Sequence, residues 1–129
     1  MAKNSDAVSV GLTEHEMFVA ATVGITRMLK VIKEGRNHTY GSTDKDNWQR
    51  HIEGAFGECA VAKYLKIFWM GGRFDKIGGP DVGIYEVRTA DKEYKRLILH
   101  PEDKDDSLFI FVTGLHGKYR LRGWIQCSE

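Results

Sequence analysis

Hydrophobic positions recur at helical spacing through the first half of the chain and change to runs and alternations in the second half. Met17, Phe18, Ala21, Ile25, Met28, Leu29 and Ile32 return every three or four residues, which predicts a helix, with Met17, Phe18 and Met28 read as core. Thr13 to Glu16 (TEHE) is a capping-box pattern that would start this helix, and Gly35 supplies a stop. A polar connection, residues 36–45, leads to a second helix from about Asp46 to Leu65, with Trp48, Ile52, Ala55, Cys59 and Ala62 on one face. The period then changes. IFWM (67–70) reads as a short strand, GGRFDKIGGP (71–80) as a glycine-rich turn region, and DVGIYEVRTA (81–90) as a strand bent at Gly83. RLILH (96–100) reads as another strand and PEDKDD (101–106) as an acidic loop. LFIFVTG (108–114) is a continuous apolar run, as expected of a central strand buried on both faces, and KYRLRGWIQ (118–126) alternates as a last strand. Two helices followed by four to five strands predict an α+β fold, N-terminal helices on a central mixed sheet.

Composition narrows this picture without redirecting it. A chain of 129 residues predicts a single domain, with residues 1–11 loose. At 42% hydrophobic and 29% charged it can bury a core and stay in solution. The net charge of +1 points to neither nucleic acid nor membrane, so local clusters must carry that information. No apolar run approaches the roughly 18 residues of a membrane span, and the N-terminus lacks a signal-peptide apolar region. Cys59 and Cys127 match no metal spacing, and Cys59 reads as a small buried hydrophobe. A reducing, cytoplasmic setting is the expectation.

Candidate chemistry centres on Asp81, Glu86, Arg88 and Glu58. Residues two apart on a strand share a face, so Glu86 and Arg88 project together while Tyr85 and Val87 go to the other side. Asp81 opens the same bent segment. Glu58 falls on the helical wheel between Ala62 and Leu65, near Gly54, inside the apolar arc. Alone, Glu86 and Arg88 read as a solvated strand face with a cross-strand ion pair, Asp81 as a turn residue after proline, and Glu58 as a surface glutamate. Together they read as a site at the sheet's edge or bend. Clustered carboxylates repel unless a cation joins them, and a hard divalent ion is the natural counter-charge.

"PD", a short gap and "EVR" resemble the signature of the PD-(D/E)XK nuclease superfamily, and GAFGECAVAKYL (54–65) resembles the helix that supplies that family's further acidic residue. The match covers residues 46–125. GECAVAKYL, DVGIYEVRT and RLRGWI together also resemble small phage-encoded proteins. The resemblance implies a restriction-endonuclease-like fold and Mg²⁺- or Mn²⁺-dependent hydrolysis of DNA phosphodiesters. It places the protein in phage DNA processing in a host cytoplasm, with a homodimer as one assembly that grips two strands. It further implies that Asp81, Glu86 and the Val87 carbonyl hold the metal and that Glu58 binds it directly or through water. Arg88 stands where the family usually has lysine. Arginine stays protonated and cannot act as a general base, but it can clamp a phosphate. The alternative is a catalytically silent DNA-binding or interaction module that keeps the fold.

Arg96, Lys118, Arg120 and Arg122, interleaved with Tyr94, Tyr119 and Trp124, could track a nucleic-acid backbone or could be an ordinary outer strand face. His100 reads as a strand-end residue near the site, and His15, His38, His51 and His116 lack ligand spacing.

Overall fold

The computed structural model describes residues 7–35, 47–71, 80–91 and 108–126. Its elements run β1 (Val8–Gly11), α1 (Glu14–Glu34), α2 (Asn47–Leu65), β2 (Tyr85–Ala90), β3 (Leu108–Leu115) and β4 (Lys118–Gln126). Both helices appear where the periodicity places them. Thr13 caps α1 through a complete capping box: its hydroxyl accepts from the Glu16 N–H, and the Glu16 carboxylate accepts from the Thr13 N–H. Gly35, in the left-handed conformation, closes the helix.

The strands form one mixed sheet in the order β1-β4-β3-β2. β2 and β3 are parallel, and the other pairs are antiparallel. β3 and β4 join through His116 and Gly117, both at positive φ, as a two-residue hairpin turn of the twist-matched type requires. A register shift between Phe111 and Val112 leaves Arg122 as an extra residue on β4. The architecture of the described residues is therefore α+β, two helices with a four-stranded mixed sheet. No helix among the described residues is long and apolar enough to cross a membrane.

Three expectations are corrected. Residues 8–11 are not loose: they pair with Lys118–Leu121 as an edge strand, and Val10 is buried. Residues 67–70 are not a strand. Lys66 takes a left-handed conformation, α2 ends with Ile67 N–H on the Ala62 carbonyl, and the chain turns back so that Trp69 and Gly71 bond to Glu58 and Arg27 rather than to a strand. Phe18, expected in the core of α1, is exposed. Ala20, Gly24, Met28 and Val31 are buried, whereas Phe18, Ile25, Leu29 and Ile32 are exposed. The predicted strand 96–100, the acidic loop 101–106 and Arg96 lie outside the described residues.

α2 packs against both α1 and the sheet, which explains its small residues. On one side, a Cβ on Gly24 of α1 would stand 2.6 Å from the Ile52 Cα, so the two helix backbones nearly touch. On the other, Gly57 lies directly against the Thr89 side chain of β2. Ala55, Phe56, Ala60, Val61 and Ala62 fill the space between, with Val87, Ile110, Val112, Tyr119 and Leu121 from the sheet. β3 is covered on both faces, as its unbroken apolar run requires: Phe109, Ile110, Val112 and Thr113 are all buried.

Candidate functional site: an acidic centre around the edge strand

β2 is the last strand in the described sheet, and the candidate residues gather around it. Val82 and Tyr85 close a tight turn, with the Tyr85 N–H donating to the Val82 carbonyl (2.8 Å). Gly83 sits inside the turn at φ 56°, a conformation that costs glycine little. The turn accommodates the short gap between Asp81 and Glu86. It also lets Asp81 Oδ2 reach forward and accept the Val87 N–H at 2.8 Å. The side chain of Asp81 thus caps the start of β2.

Tyr85, Val87 and Thr89 face α2, because Val87 lies in the helix-side core and Thr89 meets Gly57. Strand alternation sends Glu86 and Arg88 to the opposite face. There the Arg88 guanidinium lies 4.8 Å from the centre of the Phe109 ring, a cation–π contact. Glu58 approaches from the helix side and is 6% exposed. Asp81 feels the charge of Glu58 and of Glu86. Burial first, then the charges of Glu58 and Glu86, push its pKa up to about 7, against the opposing pull of the Val87 N–H and Arg27. Three carboxylates from a helix and a β-segment thus share one electrostatic environment.

Glu58 has partners that sequence reasoning missed. Arg27 Nη1 donates to Oε2 at 2.8 Å and Nη2 to Oε1 at 2.7 Å, a two-pronged ion pair. Arg27 Nη2 also donates to the Gly71 carbonyl (3.0 Å), and Trp69 Nε1 donates to Glu58 Oε1 (3.3 Å). Burial works against the Arg27 charge, but the bonds to Glu58 and the nearby Asp81 outweigh it and hold the guanidinium above its usual range. The signal for Arg27 was present: it falls among Ala20, Gly24, Met28 and Val31, one charge within the stripe that α2 covers. The signal for Trp69 was obscured by reading its segment as a strand.

The donors suit a hard divalent ion in kind, since all are oxygens. Asp81 and Glu86 could hold one together with the Val87 carbonyl, while both oxygens of Glu58 already accept from Arg27. Among the described residues, no three His, Cys, Asp or Glu side chains stand grouped as a ready ligand set.

The other candidates divide by sheet face. Tyr119 is buried in the helix-side core, its hydroxyl donating to Glu53 Oε1 at 2.6 Å, so it does not interleave with the basic residues. Lys118 and Arg120 alternate with Tyr119 and Leu121 and therefore take the face that carries Glu86 and Arg88. The Cys59 thiol is half-buried, and burial, then the Glu16 charge, push its pKa up to about 11, so it stays protonated at neutral pH. No protein-family model matches the chain, and no curated protein or solved structure gives a match.

Proposed function

We propose that the protein is a small metal-dependent nuclease of PD-(D/E)XK type that cleaves DNA, with a restriction-endonuclease-like fold. One observation carries this reading: Asp81 is largely buried beside β2 and, with burial the larger cause, the charges of Glu58 and Glu86 push its carboxyl pKa up to about 7. Such a centre is unfavourable unless protonated or occupied by a cation. The order of elements supports the reading, since an acid-bearing helix precedes a bent segment carrying Asp81 and Glu86.

In this reading Asp81, Glu86 and the Val87 carbonyl hold Mg²⁺ or Mn²⁺, with Glu58 behind them. A bound ion would polarise the scissile phosphate and acidify a water. The Val87 N–H fixes one oxygen of Asp81 and so aims the other. Arg88, braced on Phe109, presents a permanent positive charge for a phosphate oxygen but cannot remove a proton. Lys118 and Arg120, on the same face as Arg88, would meet the polynucleotide backbone.

The test is incubation of plasmid, linear, single-stranded and branched DNA with Mg²⁺ or Mn²⁺. Cleavage is expected in the parent and lost in Asp81→Ala and Glu86→Ala variants that remain folded. Either variant cutting as well as the parent would refute the assignment.

A second reading has its own observation. Arg27 already neutralises Glu58, so part of the centre carries an internal cation. That favours a catalytically silent DNA-binding or interaction module. Absence of Mg²⁺ or Mn²⁺ uptake by calorimetry at millimolar concentration, together with DNA binding, would select it. Cleavage gained on Arg88→Lys would mark it as a decayed enzyme.

A further inference from the structure

Glu58 lies where α1, α2 and the segment 66–71 meet. It belongs to α2 and is buried. Arg27 of α1 holds both of its oxygens, at 2.8 and 2.7 Å, and Trp69 Nε1 also donates to Oε1, at 3.3 Å. Three bonds thus occupy a carboxylate that offers about four acceptor positions, and the Arg27 guanidinium matches its charge. Arg27 in turn donates to the Gly71 carbonyl at 3.0 Å, so the segment is tied to this one ion pair at two points. Trp69 is its inward residue, and Phe68 and Met70 on either side are exposed. Residues 67–70 belong to no helix or strand, so side-chain bonds rather than a backbone ladder set their place. The segment also touches the turn of the acidic centre. A Cβ on Gly83 would stand 3.1 Å from Ile67 Cδ1, so Ile67 lies against the turn between Asp81 and Glu86. At the far end, a Cβ on Gly71 would stand 2.8 Å from Val23 Cγ2 of α1.

We propose that Glu58 is a positioning residue for the acidic centre and not a metal ligand. Through Trp69 and Arg27 it fastens segment 66–71, and Ile67 of that segment braces the turn that aims Asp81. A cation could claim Glu58 fully only by displacing Arg27, which would leave a half-buried guanidinium without its counter-charge. Asp81 and Glu86 carry no such internal pair with Arg27 as Glu58 does, so a cation drawn to this centre is held by them. The service to a cation centre rests on the nuclease reading, whereas the fastening itself does not.

Three measurements on the full chain test this. Chymotrypsin cleavage after exposed Phe68, followed by mass spectrometry, reads opening of the segment. Trp69→Phe keeps a ring but loses the N–H, and should speed that cleavage about fivefold or more. Arg27→Met with Glu58→Met removes the pair without changing net charge, and should speed it further. Amide exchange of Val87 reads the hold of Asp81, whose Oδ2 accepts that N–H. In both variants it should quicken relative to Val112, which is buried in β3 away from the segment. Calorimetric binding of Mn²⁺ reads ligation: the double variant should keep the parent's affinity within about tenfold, and Asp81→Ala should lose it. Cleavage after Phe68 that is no faster in either variant overturns the fastening. Faster cleavage with Val87 exchange unmoved overturns the positioning role. A double variant that loses Mn²⁺ as completely as Asp81→Ala makes Glu58 a ligand and overturns the proposal. A parent that takes up no Mn²⁺ removes the nuclease reading, and cleavage and exchange still decide the fastening.

Discussion

Replacing Asp81 with asparagine should make the protein more stable at pH 8, by a margin that shrinks as pH falls toward 4. Burial and the charges of Glu58 and Glu86 raise the Asp81 pKa from 3.8 to about 7. The folded state therefore favours the protonated form. Its stabilising contribution is full below the unfolded pKa and is lost as pH rises through the folded one. The loss runs from about pH 4 to about pH 7 and amounts to at most about 4 kcal/mol, at 1.36 kcal/mol per pKa unit. Asparagine removes the charge but keeps an oxygen to accept the Val87 N–H, the contact that Asp81 makes at 2.8 Å. Urea unfolding of parent and variant at several values between pH 5 and pH 8 reads the difference directly. The gap should widen with pH and favour the variant by at least about 1 kcal/mol at pH 8, which water entry into the half-buried site still leaves. A variant no more stable than the parent at pH 8, or parallel pH profiles, would refute the claim that Asp81 sits in a repulsive acidic field.

Other outcomes follow from the same geometry. If a divalent ion relieves that repulsion, Mg²⁺ should raise the melting temperature of the parent at pH 8 and leave Asp81→Asn nearly unmoved, by differential scanning fluorimetry. Arg27→Met should cost about 3–5 kcal/mol by stranding Glu58, and Arg27→Met with Glu58→Met should recover most of it; denaturant curves of the single and double variants give the coupling. Gly57→Ala should cost about 1–3 kcal/mol by driving a methyl into Thr89, and Thr89→Ala should rescue part of that loss in the same assay.

The elements that could be read from the sequence were those whose signals are local. The capping box, the period of both helices and the unbroken apolar run of β3 depend only on neighbours in the chain. Asp81, Glu86 and Arg88 could be singled out because they crowd one short segment, and Glu58 because its small neighbours left it inside an apolar arc. What stayed hidden depends on distant partners. Val8–Gly11 becomes a strand because β4 offers it an edge. Phe18 and Leu29 follow helical spacing as faithfully as Met28 does, and only the seating of α2 separates exposed from buried. The pairing of Arg27 with Glu58 spans 31 residues, and no spacing rule links them. That pairing also matters most for the site, because it decides whether Glu58 faces a cation of the chain's own.

The close approach of the Gly24 backbone to Ile52 on one side of α2, and of the Thr89 side chain to Gly57 on the other, clamps that helix from both sides at once. Ala55, Phe56, Gly57 and Glu58 are all buried, so their amide protons should be among the last to exchange with deuterated solvent. A helix so confined cannot slide or tilt to suit a ligand. Rearrangement at the acidic centre must then come from the turn that holds Asp81 or from the segment that carries Trp69, with Glu58 as the fixed post around which both move.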